Sequence, residues 1–299
     1  MRWLRRAGSE LGVFVLWLVH FLPLSWISLL GAGLGSIVYR FGRGRVTRIN
    51  LKLCFPGMSD EQIDDLGRRN FRMLGRNALE LSLMVWGKED DLLRLVRHEG
   101  LEHLRSARER GEPVIAFAPH FIGLNMGGIR VAHEWPSSAS IYSRQKNPVL
   151  DRIFLRARLR FGTPTLVSRQ EGLRAVIRVI KSGKSLYFLP DMDFGPRDAI
   201  FAPFFGIPTA TITAMPRLAK LTGAKVIPVV TRQVGDGYVV RFYPPWENYP
   251  TGDLEADVRR MNAFIEDRVR EMPEQYFWAH KRFKTRPPGE PSPYRKAPR

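Results

Sequence analysis

Cysteine is almost absent from this chain: Cys54 is the one cysteine among 299 residues. A single thiol excludes a disulfide framework within the chain and a cysteine-cluster metal site, and it suits a reducing compartment. Acidic residues are scarce as well. Against 47 Lys and Arg stand 29 Asp and Glu, a formal net charge of +18. Such a field draws polyanions, whether nucleic acid, anionic lipid headgroups or an acidic protein. Nucleic acid is disfavoured, because the arginines are dispersed and neither a zinc pattern nor a helix-turn-helix pattern is present. Between Leu11 and Tyr39 there is no Asp, Glu, Lys or Arg at all. A helix of that length would cross a bilayer core of about 30 Å.

The uncharged segment admits three readings: a cleaved signal peptide, a buried core helix or a membrane anchor. The first is disfavoured by the lack of an A-x-A site and by the direct run into Arg40, Arg43, Arg45 and Arg48. Trp17 and Trp26, rings suited to a membrane interface, favour the third. Arg2, Arg5 and Arg6 make the other flank basic too, so charge bias does not choose an orientation. Pro23 falls within the segment, and a broken helix or re-entrant hairpin fits the symmetric charge better than one clean span. Residues 1–45 are therefore expected to form an anchor, 46–286 one main domain, and 287–299 a loose, basic, proline-rich tail.

Within the main domain, Ser59-Asp60-Glu61-Gln62 reads as an N-cap opening a long amphipathic helix through Leu83. Its basic residues, Arg68, Arg69, Arg72 and Arg76, are expected on a solvated side. From Pro113 onward strand-like and helix-like segments alternate. Strands are expected at 114–118, 139–142, 185–189, 226–231 and 238–242, and helices at 125–131, 148–161, 172–182, 210–222 and 253–271. This alternation predicts an α/β fold, a mixed central sheet flanked by helices. Pro228 lacks the amide hydrogen a ladder needs, so its strand is expected at an edge or a bulge.

Four polar clusters fall at predicted strand ends, where α/β folds place their chemistry. The first is His120, after the apolar run Val114 to Ala118, with Asn125 five residues on. An imidazole held by a hydrogen-bonding partner is the arrangement of a general base. Asn125 can orient the ring but brings no charge, and Glu134 is a carboxylate further along the same stretch. The second cluster holds Arg144 and Lys146, cations able to clamp a phosphate. In the third, Pro190-Asp191-Met192-Asp193-Phe194-Gly195 leads to Arg197 and to Phe201, Phe204 and Phe205. No histidine or third acid recurs at a metal-ligand spacing there, so Asp191 and Asp193 read as a polar substrate rim, with Arg197 toward phosphate. The phenylalanines read either as an acyl-chain wall or as ordinary core. The fourth is the Pro228 strand. Near the C-terminus, Gln275 to Lys284 interleaves aromatics with cations, a composition suited to a lipid interface.

In order along the chain, these blocks resemble the four motif blocks of the glycerolipid acyltransferases. The forms DMDFG…FAPFFG and YFWAHKRFK are similar to the branch that carries out the late acylations of lipid A, the lauroyl and myristoyl transferases of Gram-negative bacteria. The resemblance implies an enzyme at the cytoplasmic face of the bacterial inner membrane. It would move a fatty acyl chain from acyl carrier protein to a hydroxyl of a lipid A precursor, with His120 as general base and no cofactor or metal. The partners would be the carrier protein, the phosphoglycolipid and membrane phospholipid. Where the family has Asp or Glu this chain has Asn125, which puts the level of activity in question. A lysophospholipid or aminolipid acceptor, or a catalytically silent lipid-binding protein of the same fold, are the alternatives.

Overall fold

The computed structural model of the protein describes residues 2–295. The uncharged N-terminal segment is two helices, α1 (Arg2–Val19) and α2 (Leu24–Phe41), broken at the turn that ends in Pro23. Among the described residues α2 alone is long and apolar enough to cross a membrane. It is not free, however. Gly31 and Gly35 lie against α4 (Asp60–Trp86) so closely that a Cβ on Gly35 would sit 1.9 Å from the Phe71 carbonyl oxygen. Gly75 of α4 faces Gly31 in the same way, so the two backbones meet with no side chain between them. α1, α2 and the turn between them expose Phe14, Leu18, Phe21, Trp26, Leu30 and Ile37. Between α2 and α4 comes α3 (Gly44–Cys54), which sends Leu51 and Cys54 into the core.

α4 begins with the expected capping box: the Ser59 hydroxyl accepts from the Gln62 amide and Gln62 accepts from the Ser59 amide. Arg68 and Arg69 do lie on its solvated side, paired with Asp64 and Asp65. Arg76 does not. It is buried against Glu80 at 2.7 Å and donates to the carbonyls of Gly235 and Asp236, which fixes a distant hairpin turn to this helix.

The rest follows as α5 (Glu89–Leu95), β1 (Val96–Glu99), α6 (Leu101–Glu109), β2 (Val114–Phe117), α7 (Leu124–Glu134), β3 (Ala139–Tyr142), α8 (Pro148–Leu159), β4 (Thr165–Ser168), α9 (Gly172–Lys181) and β5 (Leu186–Phe188). Then come β6 (Ala199–Phe204), β7 (Ile207–Ile212), α10 (Ala214–Thr222), β8 (Lys225–Val234), β9 (Gly237–Phe242) and α11 (Leu254–Glu271). Seven strands form one sheet in the order β1-β9-β8-β2-β5-β3-β4, and β6 and β7 make a separate hairpin. All pairings in the large sheet are parallel except β8 with β9, so the sheet is mixed. Alternate residues face opposite layers, as the pleat requires. Ile115 and Phe117 join one apolar cluster with α9, α10 and α11, whereas Val114 and Ala116 join another with α6 and α7.

Three expectations are corrected. Pro228 lies on an interior strand, but at a changeover. β8 pairs with β2 over Lys225–Pro228 and with β9 over Val229–Val234, so the missing amide hydrogen falls where one ladder ends and the other begins. The helix expected from 210 starts at Ala214, because 207–212 is the second strand of the β6–β7 hairpin. Its turn places Phe205 and Gly206 at positive φ, the backbone of a two-residue hairpin turn. Finally, the tail expected to be loose is packed through Tyr294, which is buried and hydrogen-bonded to Asn50 and to the Phe283 amide. Residues 296–299 of that tail lie outside the described residues.

Candidate active site

β2 and β5 are parallel neighbours with Phe117 opposite Phe188. The chain leaves them through matching segments, Phe117-Ala118-Pro119-His120 and Phe188-Leu189-Pro190-Asp191. The Ala118 amide donates to the Phe188 carbonyl at 2.8 Å and carries the ladder one step further. Equal offsets from a paired position bring the third residue of each exit to the same height. His120 Nδ1 is 2.6 Å from Asp191 Oδ1, and the His120 amide donates to Asp191 Oδ2 at 2.9 Å. A carboxylate only accepts, so Nδ1 carries the hydrogen and Nε2 is the nitrogen with a free lone pair.

Asp191 is fully buried and also accepts from the Tyr276 hydroxyl at 3.1 Å. Burial pushes its carboxyl up, but the His120 charge, the hydrogen bonds from the ring and backbone of His120, and Arg282 outweigh burial and hold it below the usual carboxylate range. Burial, together with Asp191, drives the Tyr276 phenol far up, so it remains a donor.

Tyr276 arrives on the C-terminal segment, which is pegged from two helices. Asn70 of α4 donates to the carbonyls of Glu274 and Tyr276, and Asn50 of α3 donates to those of Trp278 and His280. The segment also pairs directly with the histidine loop: the Ile122 amide donates to Gln275 and the Phe277 amide to His120. Further on, His280 Nε2 accepts from the Asp193 amide at 2.9 Å, which requires a neutral ring. Burial, with Arg282 beside it, holds this imidazole down to about 4. The Asp193 carboxylate accepts from the amide and hydroxyl of Thr285.

The candidate residues therefore separate. Asp191 and Asp193 point inward, not toward a substrate rim, since both have their oxygens taken by the protein. Asn125, on the first turn of α7, lines the cavity described below, and its amide has no hydrogen-bond partner among the described residues. Glu134, at the other end of α7, is paired with Arg105 and Arg130. Arg144 and Lys146 are exposed on the loop after β3. Arg144 is 3.8 Å from Asp151, a buried acid that also accepts from Tyr142 and from the Gln145 amide. Arg197 lines the cavity. Tyr276, His280 and Arg282 were not singled out individually from the sequence. The matching Phe-x-Pro-His and Phe-x-Pro-Asp exits were the available signal for the His120–Asp191 pairing.

His120 opens onto a cavity of about 640 Å³. One part runs between α7 and α8 past Gly128, Ala132, Ala157 and Phe161. The other lies under the Phe194 loop, against α9 and α10. Phe201, Phe204 and Phe205 are not part of its wall, and Phe204 is core. Four arginines line it, Arg158, Arg169, Arg197 and Arg217, and among the described residues none has a carboxylate within ion-pair distance. Burial lowers the Arg158 guanidinium. Cations without ion-pair partners along a mostly apolar cavity, whose lining also holds Asp198, suit a ligand with an anionic head and a hydrocarbon tail. Among the described residues no cluster of His, Cys, Asp and Glu could hold a metal ion.

A histidine–carboxylate pair at the head of an apolar, arginine-lined cavity defines a class: it can activate a hydroxyl beside a lipid-like chain, as an acyltransferase must. Comparison with known proteins specifies the class. The model of the bacterial lipid A biosynthesis acyltransferase family matches residues 1–285. The chain is 34% identical to the lipid A biosynthesis lauroyltransferase of Escherichia coli K12, over 95% of this chain and 94% of that protein. It is 33% identical to the palmitoleoyltransferase of the same organism, over 95% and 93%, and 32% identical to its myristoyltransferase, over 97% and 90%. The chain belongs to the bacterial lipid A biosynthesis acyltransferase family.

Proposed function

We propose that this protein transfers a fatty acyl chain from acyl carrier protein to a hydroxyl of a lipid A precursor, with His120 as general base and Asp191 as its acid partner. The observation that carries the reading is the 2.6 Å contact between His120 Nδ1 and Asp191 at the mouth of the cavity. His120 Nε2 takes the acceptor hydroxyl proton as the oxygen attacks the thioester carbonyl. The tetrahedral intermediate then collapses, the C–S bond breaks, and the imidazolium returns the proton to the leaving thiolate. Asp191 holds the tautomer and offsets the imidazolium charge during the transfer. Asn125 lines the same cavity and serves as a neutral donor toward the developing oxyanion. The thioester is already activated, so the chemistry needs no metal.

The apolar lobe suits the acyl chain and the arginines suit phosphate groups. The exposed apolar faces of α1 and α2 support attachment to a membrane as a hairpin dipping into one leaflet, and on this reading the catalytic domain lies at the cytoplasmic face of the inner membrane. Two contacts fix this hairpin to α8 and its N-cap: Asn147 donates to Ser9, and Arg152 pairs with Glu10 at 2.7 Å. The net charge of +18 favours the acidic carrier, the anionic leaflet and the phosphorylated acceptor alike.

The test is transfer of labelled acyl chains from acyl carrier protein to a tetraacylated, Kdo-bearing acceptor in mixed micelles. Turnover is expected, and His120→Ala should reduce it by at least about a thousandfold. Transfer to a lysophospholipid but not to the glycolipid, or lipid binding with no turnover to either, would overturn the reading.

A further inference from the structure

Arg282 is buried to 2% exposure and belongs to no ion pair among the described residues. Its two terminal nitrogens donate to the Ala210 carbonyl at 2.8 Å and to the Thr211 hydroxyl at 2.9 Å, and its charge lies 5.4 Å from the Phe204 ring centre. Nε has no partner. A buried charge left in that condition is costly and calls for an anion nearby. Arg282 lines a second, small cavity of about 10 Å³, together with His120, Asp191, Tyr276, His280 and Asn50. That volume is about that of one water molecule, and six of the nine lining residues, Asn50, His120, Asp191, Tyr276, His280 and Arg282, carry groups able to hydrogen-bond it.

The charged and titratable groups around Arg282 come from several elements. Glu266 of α11 is taken by Arg259 and Arg270. Asp193 is satisfied by Thr285, with Lys284 at 3.8 Å. Cys54 of α3, Tyr276 and Tyr294 are neutral, their burial having raised all three. His280 is neutral for the opposite reason, its burial lowering it. Asp191 remains. It is a buried carboxylate with no Lys or Arg in contact, next to a buried guanidinium with no carboxylate in contact, and both face one water-sized space.

We infer that Arg282 is a positioning residue for the acyl transfer, which keeps Asp191 ionised by way of a single water bound between them. Without that charge Asp191 takes up a proton more readily, and a protonated acid cannot hold the Nδ1–H of His120 or balance an imidazolium. This role rests on the proposed reaction, so its test has one arm with turnover and one without. In the first, kcat is followed against pH for the wild type, Arg282→Met and Arg282→Lys. The acidic limb of Arg282→Met should move up by about one pH unit, the size of effect a single nearby charge exerts, while Arg282→Lys keeps the wild-type limb. A limb that stays in place in a folded Arg282→Met, or moves equally in both variants, overturns the inference. Should Arg282→Met fail to fold, Arg282→Lys still decides: a shifted limb with the charge retained counts against it.

The second arm needs no substrate. Melting temperatures of Arg282→Met, Asp191→Asn and the double variant form a cycle at pH 7. The double variant should melt above the sum of the single losses, because removing either charge strands the other. Additive losses would sink the inference even if the wild type had no transferase activity.

Discussion

Two parts of the chain stand beside His120 as sources of a partner: the first turn of α7, five residues away, and the loop after β5, which is remote in sequence. The near one presents Asn125, which lines the cavity and whose side chain has no hydrogen-bond partner among the described residues. The remote one presents Asp191, buried and in contact with the ring. The difference shows that proximity along the chain is a poor guide to the partner of a strand-end histidine. What sets the pairing is register: with Phe117 opposite Phe188, the two proline-containing exits end side by side. An uncharged residue at position 125 therefore does not leave the proposed base without a carboxylate.

The largest effect that can break this comparison is on Asp191. Asp191→Asn should cost about 10³- to 10⁴-fold in kcat, the scale of losing the orienting acid of a triad, with KM for the acceptor little changed. A loss below tenfold would return the partner role to some other group. Asn125→Asp sharpens the comparison from the other side. It should give no gain in kcat, since the imidazole already has its acid and the cavity loses a neutral donor; a rise of tenfold or more would show that the first turn of α7 is where the charge belongs.

The smallest effect concerns how the remote loop is held. His280 accepts from the Asp193 amide only when neutral, and its folded-state value of about 4 lies below the ordinary 6.5. Because the unfolded chain binds the extra proton first, this group favours the folded state fully above pH 6.5, and the contribution drains away as pH falls toward 4. His280→Gln keeps an acceptor at the Nε2 position. It should lower stability by about 1 kcal/mol at neutral pH and flatten the melting temperature between pH 6.5 and 4. An unaltered slope would mean that the loop does not depend on this ring.

Much of this was legible in advance. The alternation after Pro113 matches the mixed sheet, and the helix cap at Ser59 stands where the pattern put it. What escaped was long-range. Nothing local distinguishes Arg76, which is buried, from Arg72, which is exposed, because the difference is the hairpin turn at Gly235 that packs over one of them. Asp191 and Asp193 looked like a rim because two acids in a loop ordinarily face water; Thr285, Tyr276 and His280, all far along the chain, turned them inward. β1 and β4 are the two edge strands of the sheet and each buries a single residue, Val96 and Val167, so neither presents the apolar run that marks β2 or β5.

The pegging of the C-terminal segment by Asn50 and Asn70 has a consequence for biosynthesis. The strands that present His120 and Asp191 can pair once residue 191 has left the ribosome. The phenol that steadies the acid, the ring that secures its loop and the buried guanidinium come from residues 276–282, well after residue 191. The nascent chain therefore carries an unsupported base and acid while about 85 further residues are added, and the site is completed only when this segment docks against α3 and α4.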